Sequence, residues 1–234
     1  MPIHAGNLRS FLMRLPSLFF GLFLFAAGAV TNLYSGLGMS PWGVFHVGLS
    51  GLSGLTLGQV SQLVGLAVLL LGWGLGFPPG FGTVMNMFFI GWFTDRIMEW
   101  GIVPRPTDPL EQAALLLLSV VLIGFGSLFY LRVQLGAGPR DGLMVGLVKN
   151  LNRQVWLIRA SIEITVLILG YFLGGPVGIG TVVTALTIGY SVQYAFKLGK
   201  FEGKSPQMNL WELYEYLLGK KLEPQIVRDS KSLG

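Results

Sequence analysis

Between Leu15 and Thr94 the chain carries no Lys, Arg, Asp or Glu. A crossing of about 30 Å of hydrocarbon takes about 20 residues, so this stretch holds several elements. Its polar and glycine-rich breaks predict spans over Leu15–Tyr34 and Leu57–Gly76, and a third from Phe81 to Thr94 with a little beyond. Ser35–Thr56 is left over and is still uncharged. The helix it can start, from Pro41 to about Gly51, reaches only about 17 Å at 1.5 Å per residue. Too short to cross, it reads as a re-entrant or interfacial half-helix. Backbone that breaks at membrane depth must lie against protein or a wet cavity, because lipid cannot bond its N–H and C=O groups.

The same order recurs downstream, with spans predicted over about Gln112–Leu131, Val155–Gly174 and Ile179–Phe196. Leu37-Gly38-Met39-Ser40-Pro41-Trp42-Gly43 returns as Leu135-Gly136-Ala137-Gly138-Pro139-Arg140-Asp141, and Pro139 lies 98 positions after Pro41. In the same register Gly28 meets Gly126, Gly48 meets Gly146, Gly72 meets Gly170, and Gly82-Thr83 meets Gly180-Thr181. A gapless register from about residue 15 to about residue 196 marks two copies of one unit. Each phrase couples a turn to a helix start, where proline suits the first position because its missing N–H has no bond to make there.

Charge decides how the copies are arranged. The N-terminal segment holds His4, Arg9 and Arg14; the run that follows is too long for a secretory signal core, so an uncleaved first helix is expected. The segment from Asp95 to Glu111 sets Arg96 and Arg105 against Asp95, Glu99, Asp108 and Glu111, and Pro104, Pro106 and Pro109 mark a loop. The segment after the next span holds Arg132, Arg140, Lys149, Arg153 and Arg159 against Asp141, and Lys197, Lys200 and Lys204 open the tail. Three crossings per copy place all the basic segments in the cytoplasm and the acidic connector outside. An odd number turns the second copy upside down, as in many secondary transporters.

The expected fold is therefore an all-α polytopic membrane protein: two inverted repeats of three spanning helices plus one short re-entrant or interfacial half-helix each. Its parts are a cytoplasmic N-terminal tail (1–14), membrane repeat 1 (15–98), an external connector (99–111), membrane repeat 2 (112–197) and a cytoplasmic tail (198–234). In the tail, Asn209 with Glu212 forms a capping box, and Leu210, Leu213, Tyr214, Leu217 and Leu218 form one apolar face. This predicts a helix on the membrane surface, with Trp211 and Tyr216 near headgroups and Lys220, Lys221 and Arg228 toward phosphates or water.

Composition sharpens this picture. Hydrophobic residues make up 52% and charged residues 12%, and a soluble domain would carry about a quarter charged residues. The mean hydropathy is +0.64. With no cysteine, a disulfide frame and thiolate chemistry are excluded. Two histidines are too few for a metal site unless carboxylates supply the rest. The net charge of +5 sits beside apolar spans, which favours membrane topology over nucleic acid as its explanation.

Three stretches in order, Gly38–His46, Gly82–Asn86 and Gly136–Met144, resemble the YczE/YyaS/YitT-type family of bacterial membrane proteins, nearest its YczE branch. The resemblance covers most of residues 15–197 and implies a multi-pass, transporter-like membrane protein. Such proteins commonly carry an Asp where this chain has Gly43, which leaves Asp141 as the acid of this motif.

Candidate chemistry sits in the phrases and one later span. Arg140 and the helix start can hold an anionic group and Asp141 a proton or cation; as structure, Asp141 caps its helix and Arg140 anchors topology. Ser40, Trp42 and His46 can line the matching outer half of a cavity; as structure, Trp42 is an interface anchor and His46 a satisfied helix residue. Arg159 and Glu163 stand four apart inside a span and can pair on one face; an intramembrane ionisable residue is a functional candidate by default, a packing lock the alternative. Asn86, with Thr83, Thr181, Thr184 and Gln193, offers interhelical hydrogen bonds or a solute contact.

No zincin helix, nucleophile elbow or phosphate loop is present, so no enzyme is expected. The expectation is a small-solute permease or exporter of the bacterial inner membrane, without cofactor, whose partners are the bilayer, a small solute and, admissibly, a second copy. The alternative is a non-transporting scaffold that binds a partner through its tail.

Overall fold

The computed structural model describes residues 4–203 and 205–220, so Lys204, Lys221 and Arg228 lie outside the described residues. Those residues form helices α1 (Ala5–Tyr34), α2 (Pro41–Ser53), α3 (Leu57–Gly74), α4 (Phe81–Trp100), α5 (Pro109–Leu131), α6 (Pro139–Leu151), α7 (Val155–Phe172), α8 (Ile179–Leu198) and α9 (Leu210–Leu217). Five of them, α1, α3, α5, α7 and α8, are long and apolar enough to cross a membrane. The 20-residue α4 falls outside that set, and Asp95, Arg96 and Glu99 lie in its C-terminal part.

The 98-residue spacing holds in the helix bounds: α2, α3 and α4 begin and end 98 positions before α6, α7 and α8. It also holds in the backbone. The left-handed residues Gly36, Gly38, Gly54 and Gly76 are answered by Gln134, Gly136, Asn152 and Gly174. Gln134 and Asn152 thus take, with side chains, a conformation that costs a glycine least.

Two things differ from expectation at the ends. Helix α1 begins at Ala5, ten positions before the apolar run, and continues through Pro16. The tail holds that extension in place: the His4 N–H donates to the Leu217 carbonyl at 2.8 Å, and Asn7 Nδ2 to the Tyr216 carbonyl at 2.6 Å. Helix α4 runs on to Trp100, so Asp95 and Arg96 are helical rather than part of a loop.

Helices α1 and α5 form the central pair and run antiparallel: Gly21 lies against Gly126 and Tyr130, Gly28 against Ser119 and Ile123. Small residues let backbones approach, which is how apolar helices associate where lipid is as apolar as leucine. Each central helix has a parallel partner. Edge-to-face pairs Phe11–Phe81, Phe19–Phe89 and Phe23–Phe93, with centroids 5.2, 4.8 and 5.5 Å apart, join α1 to α4. Gly124 against Ser191, whose Oγ donates to the Val120 carbonyl, joins α5 to α8.

The short helices cross between the halves, α2 packing on α7 and α6 on α3. Around them, Val68 and Val166, Phe45 and Leu143, and Val64 and Ile162 form one cluster with Trp42. The members of each pair are 98 positions apart, so the cluster draws equally on both copies.

One contact breaks the symmetry. Helices α3 and α4 are packed: Asp95 accepts from Thr56 Oγ1 at 2.6 Å and from the Gly58 N–H at 2.8 Å, and Gln62 Nε2 donates to the Phe88 carbonyl. Helices α7 and α8 are not packed on one another along their length. At the positions of Gly58, Gly65 and Asp95 the second copy has Trp156, Glu163 and Gln193. Trp156 and Tyr190 stand exposed along the gap.

A pair of substitutions isolates this difference. A Cβ on Gly91 would collide with the Gly58 carbonyl, whereas one on the equivalent Gly189 meets nothing within 4 Å. Gly91→Ala is expected to lower stability by about 1–3 kcal/mol, as overpacking does. Gly189→Ala is expected to be neutral or to stabilise by up to about 1 kcal/mol. Thermal unfolding of the detergent-purified variants measures both.

Candidate functional site

Each phrase is completed by the other copy. The Gly180 N–H donates to the Leu37 carbonyl at 2.7 Å, and the Gly82 N–H to the Leu135 carbonyl at 2.6 Å. Thr83 Oγ1 accepts from the Gly80 N–H and donates to the Ala137 carbonyl at 2.6 Å; Thr181 Oγ1 likewise accepts from the Gly178 N–H. Gly38 and Gly136 have φ of 103° and 122°, and a side chain on either would strike the facing Gly178 or Gly80. Of the threonines expected to bond between helices, Thr83 does so, through the Ala137 backbone, whereas the bonds of Thr181 and Thr184 stay within α8 and its cap.

A long helix supports the cap of each short one. The Ser40 N–H donates to Asn32 Oδ1 at 3.2 Å, and the Gly138 N–H to the Tyr130 hydroxyl at 3.3 Å. Asn32 and Tyr130 occupy the same position of the repeat and were not singled out from sequence. The signal that could have found them was their spacing, one polar atom at the same point of each copy.

At the start of α6 three groups converge. A Cβ on Gly138 would lie 3.3 Å from the Tyr130 hydroxyl, 3.6 Å from Asn86 Oδ1 and 3.6 Å from Asp141 Oδ2. Tyr130 donates to Asp141 Oδ2 across 3.4 Å, a long hydrogen bond. At the start of α2 the place of Asp141 is taken by Gly43, against which the buried Met39 side chain rests.

The two starts meet through Arg140, whose guanidinium carbon lies 4.4 Å from the centre of the Trp42 ring. Trp42 and Arg140 are 98 positions apart, so the contact joins equivalent positions of the two copies. A guanidinium over an indole face gains attraction without needing a carboxylate. His46 lies one turn along α2, its ring 6.3 Å from that of Trp42, buried and with Nε2 lacking a partner among the described residues. Asn32 Nδ2 is likewise buried and unpartnered.

On α7, Arg159 Nε and Glu163 Oε1 pair at 3.0 Å, as their spacing predicts. Helix α7, which carries this pair, packs against α6, which carries Arg140 and Asp141. Asp141 sits among many protein atoms and is still exposed. The structure thus brings Trp42, His46, Asn86, Arg140 and Asp141 together and sets Arg159 and Glu163 beside them. Ser40 contributes its backbone as the cap of α2.

A separate cleft of about 380 Å³ is lined by Leu33, Val47, Ser50, Thr56, Leu57, Asp95, Met98 and Glu99. None of the central charges lines it, and its best-placed acid, Asp95, is already bonded to the start of α3. Among the described residues no three His, Asp or Glu side chains gather as metal ligands would.

The tail does not lie free. Leu213 is buried in a cluster with Leu18, Leu22, Tyr130 and Leu135, and Gln207 bridges the Gly136 N–H and the Leu131 carbonyl. The Met208 N–H donates to the Gln134 carbonyl and the Leu210 N–H to that of Pro79. The tail thus seals the backbone around the second phrase. Its Asn209–Glu212 capping box forms as expected, while Trp211 and Tyr214 stay exposed.

Comparison with known proteins agrees with this membrane architecture. Residues 12–197 match the model of a family described as "Family of unknown function (DUF6198)". An "Uncharacterized protein" of Haemophilus influenzae is 38% identical over 76% of this chain and 80% of its own length. "Uncharacterized membrane protein YczE" of Bacillus subtilis is 36% identical over 76% of this chain and 82% of its own, and "Uncharacterized protein YyaS" of the same organism 27% identical over 70% and 83%. No solved structure matches. With several apolar helices in contact with lipid and a matched region running from α1 through α7 into α8, the chain belongs to the DUF6198 family of membrane proteins, alongside YczE and YyaS.

Proposed function

We propose that the chain is a small-solute permease or exporter of the bacterial inner membrane that works by rocking two inverted repeats about a central hollow. The observation that carries this reading is the stacking of two repeat-equivalent residues, Trp42 and Arg140, at the starts of two helices too short to cross. Antiparallel packing of the equivalent helices α1 and α5 supports opposed orientation of the halves. Inversion needs α4 as a sixth crossing, with Asp95, Arg96 and Glu99 toward its outer end. The charge pattern then sets both termini in the cytoplasm. In this reading the packed α3–α4 side closes the hollow outward and the parted α7–α8 side opens it inward, one of the two states that alternating access requires.

A scaffold role remains as a second reading, and the exposed Trp211 and Tyr214 on α9, with ring centroids 6.0 Å apart, favour it.

Two experiments separate these readings. Single cysteines at Ser53 and Leu151, the last residues of α2 and α6, stand in an otherwise cysteine-free chain. An impermeant thiol reagent should label Ser53→Cys in intact cells and Leu151→Cys after permeabilisation; labelling of both from one side rejects inversion. In liposomes, purified protein should show saturable uptake of one member of a panel of small polar solutes. Asp141→Asn should reduce that uptake about tenfold or more, a loss of about 1.4 kcal/mol or more, and Trp211→Ala should leave it unchanged. If uptake is absent from the whole panel and Trp211→Ala alone impairs the cell, the scaffold reading stands in its place.

A further inference from the structure

Resting on the reading of the centre as a solute path, we infer that the hollow binds a zwitterion, a small molecule carrying one carboxylate and one ammonium group. Among the described residues neither central charge has a counter-ion within salt-bridge distance. The Arg140 guanidinium lies on the Trp42 ring, and the Asp141 carboxylate accepts from the Tyr130 hydroxyl at 3.4 Å. Arg159 and Glu163, by contrast, are already paired. Consecutive helix residues project about 100° apart, so Arg140 and Asp141 feel one another's charge without closing into a salt bridge, and present two separate poles.

The neighbours of each pole match its sign. Around Arg140 lie the start of α2 and the buried, unpartnered Nε2 of His46, within reach of the Arg140 charge. Near Asp141 lies Asn86 Oδ1, an acceptor, while the Tyr130 hydroxyl donates to the carboxylate itself. One end suits a carboxylate and the other an ammonium group. The four central side chains, two basic and two acidic, sum to zero. A net anion or net cation would leave one like charge uncompensated in a weakly screened site, and such juxtaposition is strongly penalised. A zwitterion brings a counter-charge to each pole and leaves the sum unchanged. The gap between α7 and α8 gives access to it.

The test uses the purified full chain in detergent and titrates glycine, β-alanine and 4-aminobutanoate, which differ in the separation of their charges, against acetate and methylammonium. At least one amino acid should raise the unfolding temperature saturably, with acetate and methylammonium weaker. Arg140→Gln and Asp141→Asn should each weaken that binding about tenfold or more, while Arg140→Lys and Asp141→Glu keep part of it. Acetate acting as well as the amino acids with Asp141→Asn silent would make this an anion site and overturn the inference. Methylammonium doing so with Arg140→Gln silent would make it a cation site, with the same consequence. A null result with every probe on the folded wild-type chain also overturns it. Binding needs no transport: a zwitterion that binds and is not carried into liposomes defeats the permease reading and leaves this one standing.

Discussion

Backbone that breaks inside a bilayer has to find its hydrogen bonds in protein. This chain breaks twice, at Leu37–Ser40 and at Leu135–Gly138, and each break is closed by the other half. Leu37 accepts from Gly180 and Leu135 from Gly82, and the glycines at 38 and 136 let the facing strands of backbone touch. Neither half could fold alone with these groups satisfied. The two copies are therefore one folding unit, and the crossed packing of α2 on α7 and α6 on α3 follows from the exchange.

On that shared backbone the halves have diverged in side chains alone. Asn32 and Tyr130 do the same capping work, but only Tyr130 has an acid beside it, because Gly43 stands where the second copy has Asp141. Gly58 and Gly65 allow α3 to close on α4, and Trp156 and Glu163 occupy the corresponding places on α7. Charge and opening have thus gathered in the second copy, and apolar closure in the first.

Much of this was legible from spacing and polarity, since both are local properties of a membrane chain. The short helices at Pro41 and Pro139, the Asn209–Glu212 box and the Arg159–Glu163 pair all follow from them. Long-range contact was not legible. The extension of α1 back to Ala5 depends on Leu217 and Tyr216, which lie at the far end of the sequence. Asp95 looked like part of an acidic loop because its partner, the start of α3, is 37 positions away. Within the site, Asn86, Arg140 and Asp141 were found through the phrases that hold them. Asn32 and Tyr130 were missed because a lone polar atom in an apolar run looks the same whether it caps a helix or not.

In the proposed cycle the unpacked side and the central charges act as one feature. Arg159 is mostly exposed and Asp141 is open to solvent, and ionised groups at membrane depth are tolerated when they face water or each other. Closing α7 onto α8 would strip that water. The desolvation of two ions commonly exceeds what their mutual attraction returns unless hydrogen bonds satisfy the remaining atoms. On the α3–α4 side the same closure is reached without this penalty, because one acid, Asp95, is bonded to a hydroxyl and a helix start. In the proposed cycle, closure of the second side therefore depends on something else meeting the Arg140 and Asp141 charges. A solute that does so lowers the cost of the closed state more than that of the open one, and only such differential binding can drive a conformational change. Coupling between solute and movement would then need no separate gate residue, since the groups that recognise the solute are those whose dehydration holds the bundle open.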